Sequence, residues 1–232
     1  MMSQKTKLIY EVKDLKKVYD NRIVLQIGRL QFHPGTIYGI IGPIGSGKST
    51  LFRILAGQEM QTDGAVTFEG QAFETGWFGK IKGNENIVYA SSETLPEPKK
   101  VSQLFLENYP KKVKNIQSKY FSKGVQKSYW EQTIKNLSPG EQAWISMILA
   151  VESDPRVLLV DDYGTLLDGD SEYDFRRKLK KMNKDLGTTI ILAAPTDKNI
   201  KKIAAVLIYL DHGHVSKIRP GVNRGNSQGY RR

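Results

Sequence analysis

The tightest constraint in this chain is an apolar run that empties directly into a glycine-rich turn. Ile37-Tyr38-Gly39-Ile40-Ile41 carries no charged residue, and Gly42-Pro43-Ile44-Gly45-Ser46-Gly47-Lys48-Ser49 follows at once. A strand apolar at every position fits the interior of a parallel sheet, buried on both faces. The next eight residues satisfy G-x-x-x-x-G-K-[ST]. Glycines let the backbone curl so that successive N–H groups point inward, and the helix that follows adds its positive end. Lys48 can then reach the β- and γ-phosphates of a nucleotide, and the Ser49 hydroxyl can ligate Mg²⁺. Helical spacing from Ser49 and Thr50 through Leu51, Phe52, Ile54, Leu55 and Ala56, stopped by Gly57, supplies that helix. The loop therefore reads as a binding site for a nucleoside phosphate.

The remaining patterning alternates strands with helices. Strands are expected at residues 8–12, 23–25, 65–68, 157–160, 188–194 and 206–210. Thr62-Asp63-Gly64 reads as a tight turn. Helices are expected at 141–151 and, basic and amphipathic, at 173–182. Residues 95–136 differ: after Leu95-Pro96-Glu97-Pro98 the stretch is rich in Lys, Asn and Gln, with apolar residues at helical spacing. It reads as a helical insertion. From Pro220 onward Gly, Asn, Ser, Gln and Arg dominate, as in a basic flexible tail. The order implies an α/β fold with a mainly parallel sheet, covering residues 1–219.

Bulk properties exclude several function classes. The 232 residues include no cysteine, so disulfide scaffolds, cysteine metal sites and thiol catalysis are ruled out. No stretch approaches the roughly 18 consecutive apolar residues of a membrane span, and charged residues between 5 and 14 interrupt any secretory signal. These features suggest a cytoplasmic chain. The net charge of +11 favours polyanions such as nucleotides, nucleic acids or an anionic membrane face, although solvated helix faces and a loose tail are the more ordinary source of such an excess.

A loop that holds phosphate with Mg²⁺ needs a carboxylate at a neighbouring strand end. Val157-Leu158-Leu159-Val160 delivers Asp161 to such an edge, and Asp162 follows as a candidate base or polariser of water. Buried strands ending in acidic turns are common, so the pattern gains force only beside the phosphate loop. Leu137-Ser138-Pro139-Gly140-Glu141 reads locally as a helix start, with Ser138 as N-cap, Pro139 in the first turn and Glu141 completing a capping box.

In order and spacing, the 42–49 loop, Leu137 to Glu141, the acidic strand end and Asp168 resemble the ATP-binding cassette (ABC) ATPase family. The resemblance spans about residues 8–216. It implies a RecA-like core, an N-terminal antiparallel β subdomain and an inserted helical subdomain at about 95–136. It also implies ATP and Mg²⁺ as cofactors, with Tyr19 stacking on adenine, although a strand-end tyrosine would look the same. Gly42, Pro43, Ile44, Gly45, Ser46, Gly47, Lys48, Ser49 and Thr50 would cradle the phosphates. Ser49 and Asp161 would hold the metal, with Lys48 and Asp162 at the reacting phosphate. Asp168 corresponds to the family's loop across the dimer interface. Ser138 and Gly140 of a second copy would close over the γ-phosphate.

The departures bear on catalysis. The family usually has Leu-Ser-Gly-Gly-Gln where Pro139 and Glu141 stand here. It usually has Glu at position 162, Gln at Ser92, and a γ-phosphate His where this chain reads Ala194-Pro195-Thr196-Asp197; His33, His212 and His214 lie elsewhere. The implied function is the ATP-binding subunit of an ABC transporter, peripheral on the inner membrane face and paired with a separate transmembrane subunit, with no nucleic acid. A non-transport ABC ATPase and an ATP-binding pseudo-ATPase are the alternatives.

Overall fold

A computed structural model describes residues 8–74, 81–91, 95, 96 and 98–221. Ser92 and the tail beyond Gly221 lie outside them.

Two sheets share one layer of core. The smaller is four-stranded and antiparallel, in the order β2-β1-β4-β5: β1 (Tyr10–Tyr19), β2 (Arg22–Phe32), β4 (Asp63–Phe68) and β5 (Gln71–Ala72). The larger has six strands in the order β10-β9-β3-β8-β7-β6. These are β3 (Ile37–Ile41), β6 (Ile87–Ala90), β7 (Val157–Val160), β8 (Thr189–Ala194), β9 (Val206–Asp211) and β10 (His214–Pro220). All neighbours in it are parallel except β9 and β10.

The continuous apolar runs have the cause their composition suggests. Val157 and Leu159 on β7, with Ile191 and Ala193 on β8, face the cluster between the two sheets, where α1 (Lys48–Leu55) also packs. Leu158, Val160, Ile190, Leu192 and Ala194 point the other way, into the cluster under α5 (Pro139–Glu152) and α6 (Gly169–Leu186). A strand covered on both faces has no place for a polar residue.

Residues 101–136 form three short helices, α2 (Val101–Asn108), α3 (Val113–Tyr120) and α4 (Gln126–Tyr129), and one 3₁₀ turn at Ile134–Asn136. Helices this short do not hold themselves in water. They are held by an aromatic cluster: Phe105 stacks on Trp130 with centroids 6.0 Å apart, and Phe121 meets Trp130 at 4.8 Å and Trp144 of α5 at 5.3 Å. Glu152 ends α5 as an acceptor for Lys119 Nζ (2.7 Å) and Tyr120 Oη (2.6 Å) of α3.

Three expectations are adjusted. β1 runs twice as long, and β2 more than three times as long, as the apolar segment that announced it, because many residues of both strands are exposed. The 173–182 helix extends in both directions, from an Asp168 N-cap to left-handed Gly187. Pro220 is not yet tail: it closes β10 opposite Val206, and Gly221 N–H bonds to Ala205 O at 2.8 Å.

Phe105 is fully buried at the centre of the helical cluster. Phe105→Ala should therefore cost about 3–5 kcal/mol. Urea unfolding should show this as a lower midpoint with an unchanged slope.

Candidate functional site

The site grows from the C-terminal edge of β3. In an open parallel sheet, ligands sit outside this edge, where neighbouring strands are fed from opposite sides. β3 lies between β8 and β9, and its chain turns at Gly42 into the phosphate loop. No side chain fits at Gly42, because a Cβ there would lie 2.1 Å from Leu210 O. Gly47 is the N-cap of α1 in the left-handed region, φ 96°, where a Cβ would also press on Leu25 at 2.6 Å. The loop is braced from below: Gly213 N–H donates to Ser46 O (3.1 Å), and Gln26 N–H donates to Gly213 O (2.9 Å).

Several observations fit this cradle to a bound phosphate. α1 has no acidic residue in its first turn, so nothing in that turn offsets its positive end. The Ser46 hydroxyl is buried and makes no hydrogen bond within the described residues. Lys48, only 6% exposed, donates from Nζ to Gly42 O (2.8 Å) and Pro43 O (2.9 Å), lying folded along the loop's own carbonyls. Burial pushes its ammonium below the usual lysine value, against the opposing charges of Asp162 and Asp161. The structure thus brings Lys48, Asp161 and Asp162 into one electrostatic unit. Ile44, by contrast, is 92% exposed at the loop's rim.

β8 separates β3 from β7, so the acid edge sits two strand spacings, about 10 Å, from the phosphate loop's strand. That gap suits a phosphate chain with its cation. Asp161 Oδ2 accepts from Tyr89 Oη (3.0 Å), and Oδ1 accepts from Asp162 N–H (3.0 Å). Asp162 itself is exposed, with a positive φ of 50° that Asp tolerates better than most residues. Among the described residues, no three His, Asp or Glu side chains gather as a metal cage. Mg²⁺ does not require one: it keeps several waters and binds one or two carboxylates plus phosphate oxygens. Ser49 and Asp161 fit that pattern.

Tyr19 is the last residue of β1. Its hydroxyl is tied to Glu59, which also pairs with Lys17 (2.9 Å) and Arg53 (3.0 Å); Lys17 Nζ lies 4.9 Å from the Tyr19 ring centroid. Arg53 belongs to α1, so the ring is held beside the helix that starts at the phosphate loop.

Ser138 and Gly140 line a different cleft, with Leu166, Leu167 and Asp168. The capping box is present: Ser138 N–H donates to Glu141 Oε2 (2.7 Å), and Glu141 N–H donates to Ser138 Oγ (3.4 Å). That backbone donor holds the Glu141 carboxyl below its usual value. At the end of β8, Asp197 stands in the region expected to hold a His; it accepts from Tyr209 Oη at 3.4 Å and pairs with Lys201 at 3.6 Å. Sequence reasoning missed Tyr89 and Glu59, and also Tyr163, whose buried hydroxyl donates to Glu172 Oε1 (2.9 Å) beside Arg176 of α6.

The sequence profile of the ABC transporter family matches residues 25–163, more than half of the chain, and the chain belongs to that family. Among curated relatives, the spermidine/putrescine import ATP-binding protein PotA of Legionella pneumophila is 27% identical over 215 residues, and that of Clostridium novyi is 28% identical. Both alignments cover 90% of this chain, but only 58% and 61% of those relatives' own lengths. Solved structures share the fold. For cbiO1 of Clostridium perfringens, part of the ABC transporter complex cbiONQ, the TM-score is 0.71 at 21% identity, covering 92% of this chain and 89% of that one. For a dimeric bacterial ABC transporter cassette it is 0.74 at 20% identity, covering 91% and 98%. The mixed larger sheet and the antiparallel smaller sheet are those of the ABC ATPase fold.

Lys48→Ala should leave the fold intact and weaken ATP binding. A charged hydrogen bond of about 1.5–3 kcal/mol corresponds to about 10- to 150-fold in affinity. Isothermal titration with ATP measures this directly.

Proposed function

We propose that this chain is the ATP-binding subunit of an ABC transporter, coupling ATP binding to transport through a separate membrane subunit. One observation carries the reading. A buried lysine, a glycine loop with no room for a Cβ at Gly42 or Gly47, and two acidic residues gather at the C-terminal edge of the parallel strands. In this reading, residues 1–221 belong to one ATP-binding domain with a helical subdomain at about 95–136, and a basic segment, 222–232, follows it. Residues 42–50 hold the phosphates, Tyr19 packs on the base, and Ser49 with Asp161 holds Mg²⁺. Two cassettes, alike or different, dimerise so that Ser138 and Gly140 of one close over the γ-phosphate bound by the other. No helix among the described residues is long and apolar enough to cross a membrane, which suits a peripheral position on the inner face.

Mg²⁺ would supply charge neutralisation at the β- and γ-phosphates. Lys48 would exchange its two carbonyl partners for phosphate oxygens, and the α1 N–H groups would add theirs. Asp162 would orient or deprotonate the attacking water from the end of β7.

Two features favour slow turnover. The carboxylate of Asp162 is one methylene, about 1.5 Å, shorter than the family's Glu, and a misplacement of about 1 Å can cost some 100-fold. Asp197 places a negative charge, paired with Lys201, near where the family has a cationic or neutral His. Steady-state phosphate release at saturating ATP tests this. Wild type should turn over slowly, Asp162→Glu faster, and Asp162→Asn not at all. Wild-type turnover at ordinary rates of about 1–10 s⁻¹, lost in Asp162→Asn, would overturn the slow-site reading. For the transporter assignment, purification from detergent extracts should recover a polytopic membrane protein in stoichiometric amount.

A further inference from the structure

The Asp161 carboxylate is fixed by a side chain from another strand. β6 and β7 run parallel, with Tyr89 level with Leu159 and Ala90 level with Val160. Because side chains alternate, Tyr89, Leu159 and Asp161 share the face that carries α1. A tyrosine leaning along its strand spans the remaining two residues, and its hydroxyl reaches Asp161 Oδ2 at 3.0 Å.

The ring cannot easily swing away. It is half-buried against the core between the two sheets, with its edge packed near Phe52 of α1, centroids 6.2 Å apart and planes at 75°. Asp162 N–H occupies the other carboxylate oxygen. Each Asp161 oxygen thus has one fixed donor, and the two together set the plane of the carboxylate. The lone pairs left over have a defined direction.

We infer that Tyr89 is a positioning residue for the metal carboxylate: its hydroxyl aims Asp161 at the Mg²⁺ of the bound nucleotide. This rests on the reading of Ser49 and Asp161 as the metal site. Partners one step behind a metal ligand restrict its orientation, and their loss usually costs about 10- to 100-fold in metal affinity. Tyr89 would act on the metal through Asp161, whose carboxylate its hydroxyl holds. Its removal should therefore leave metal-free nucleotide binding alone.

The test compares ATP affinity with Mg²⁺ and with EDTA for the full chain, by titration calorimetry, together with melting temperature. Tyr89→Phe keeps the ring on Phe52 and deletes only the hydroxyl; Tyr89→Leu is a second hydroxyl-free variant should the first fold poorly. Asp161→Asn is the reference for loss of the metal ligand. The expected result is that Tyr89→Phe lowers the gain in ATP affinity from Mg²⁺ by about 10-fold or more, within the range for such partners, while affinity in EDTA stays at the wild-type value. A Tyr89→Phe protein with the full Mg²⁺ gain, where Asp161→Asn has lost it, overturns the role of Tyr89 and leaves the metal site standing. If Asp161→Asn also keeps the full gain, the metal-site reading and this inference fall together. An equal drop with Mg²⁺ and in EDTA would mark Tyr89 as merely structural and overturn the inference.

Discussion

Backbone amides can surround an anion only where side chains leave them room, and much of this molecule is organised to keep such room at one loop. At Gly42 the limiting neighbour is a carbonyl of β9; at Gly47 it is Leu25 of β2. Both sheets therefore press on the loop, and each glycine answers a different one. The buried strand β3 fixes where the loop starts, and α1 fixes where its amides point. Lys48 enters this space at the cost of lower basicity, and Asp162 and Asp161, just past β7, partly restore it.

The second half of the site is remote in sequence but near in register. β8 sits between the loop's strand and the acid strand. Asp161 therefore approaches the loop across a gap wide enough for a phosphate chain and its cation. Such spacing separates charges that would otherwise neutralise each other directly. Lys48 rests on carbonyls, and Asp161 rests on a phenol and an amide. The carbonyls that hold Lys48 are neutral groups that phosphate oxygens can outbid.

How much of this could be read from the chain depended on whether local order or long-range pairing carried it. β3, β7 and β8 were legible because burial on both faces demands unbroken apolar runs, and the loop because its glycines and Lys48 have fixed spacing. The outer half of β1 was not, since Lys13, Asp14, Lys16 and Lys17 mask the alternation and the strand shifts register there. β10 was hidden because it is an almost wholly exposed edge, with no apolar face to announce it. Tyr89 reads locally as one more core aromatic; only the parallel register of β6 against β7 carries its hydroxyl to Asp161. Glu59 lies just past α1 in an ordinary polar turn, and its ties to Tyr19, Lys17 and Arg53 exist only once β1 is folded beside α1.

The hydrogen bonds through Gly213 have a consequence for timing. The turn between β9 and β10 holds Ser46 with its N–H and is itself held by Gln26 of β2. The loop is thus moored to both sheets through its own backbone, independently of any side chain it presents. Its disorder is removed when the chain folds, so an arriving nucleotide meets a rigid receptor and spends little of its binding energy on ordering it. Capture is not delayed by an ordering step in such a receptor. What remains to change on binding is the path of the Lys48 side chain.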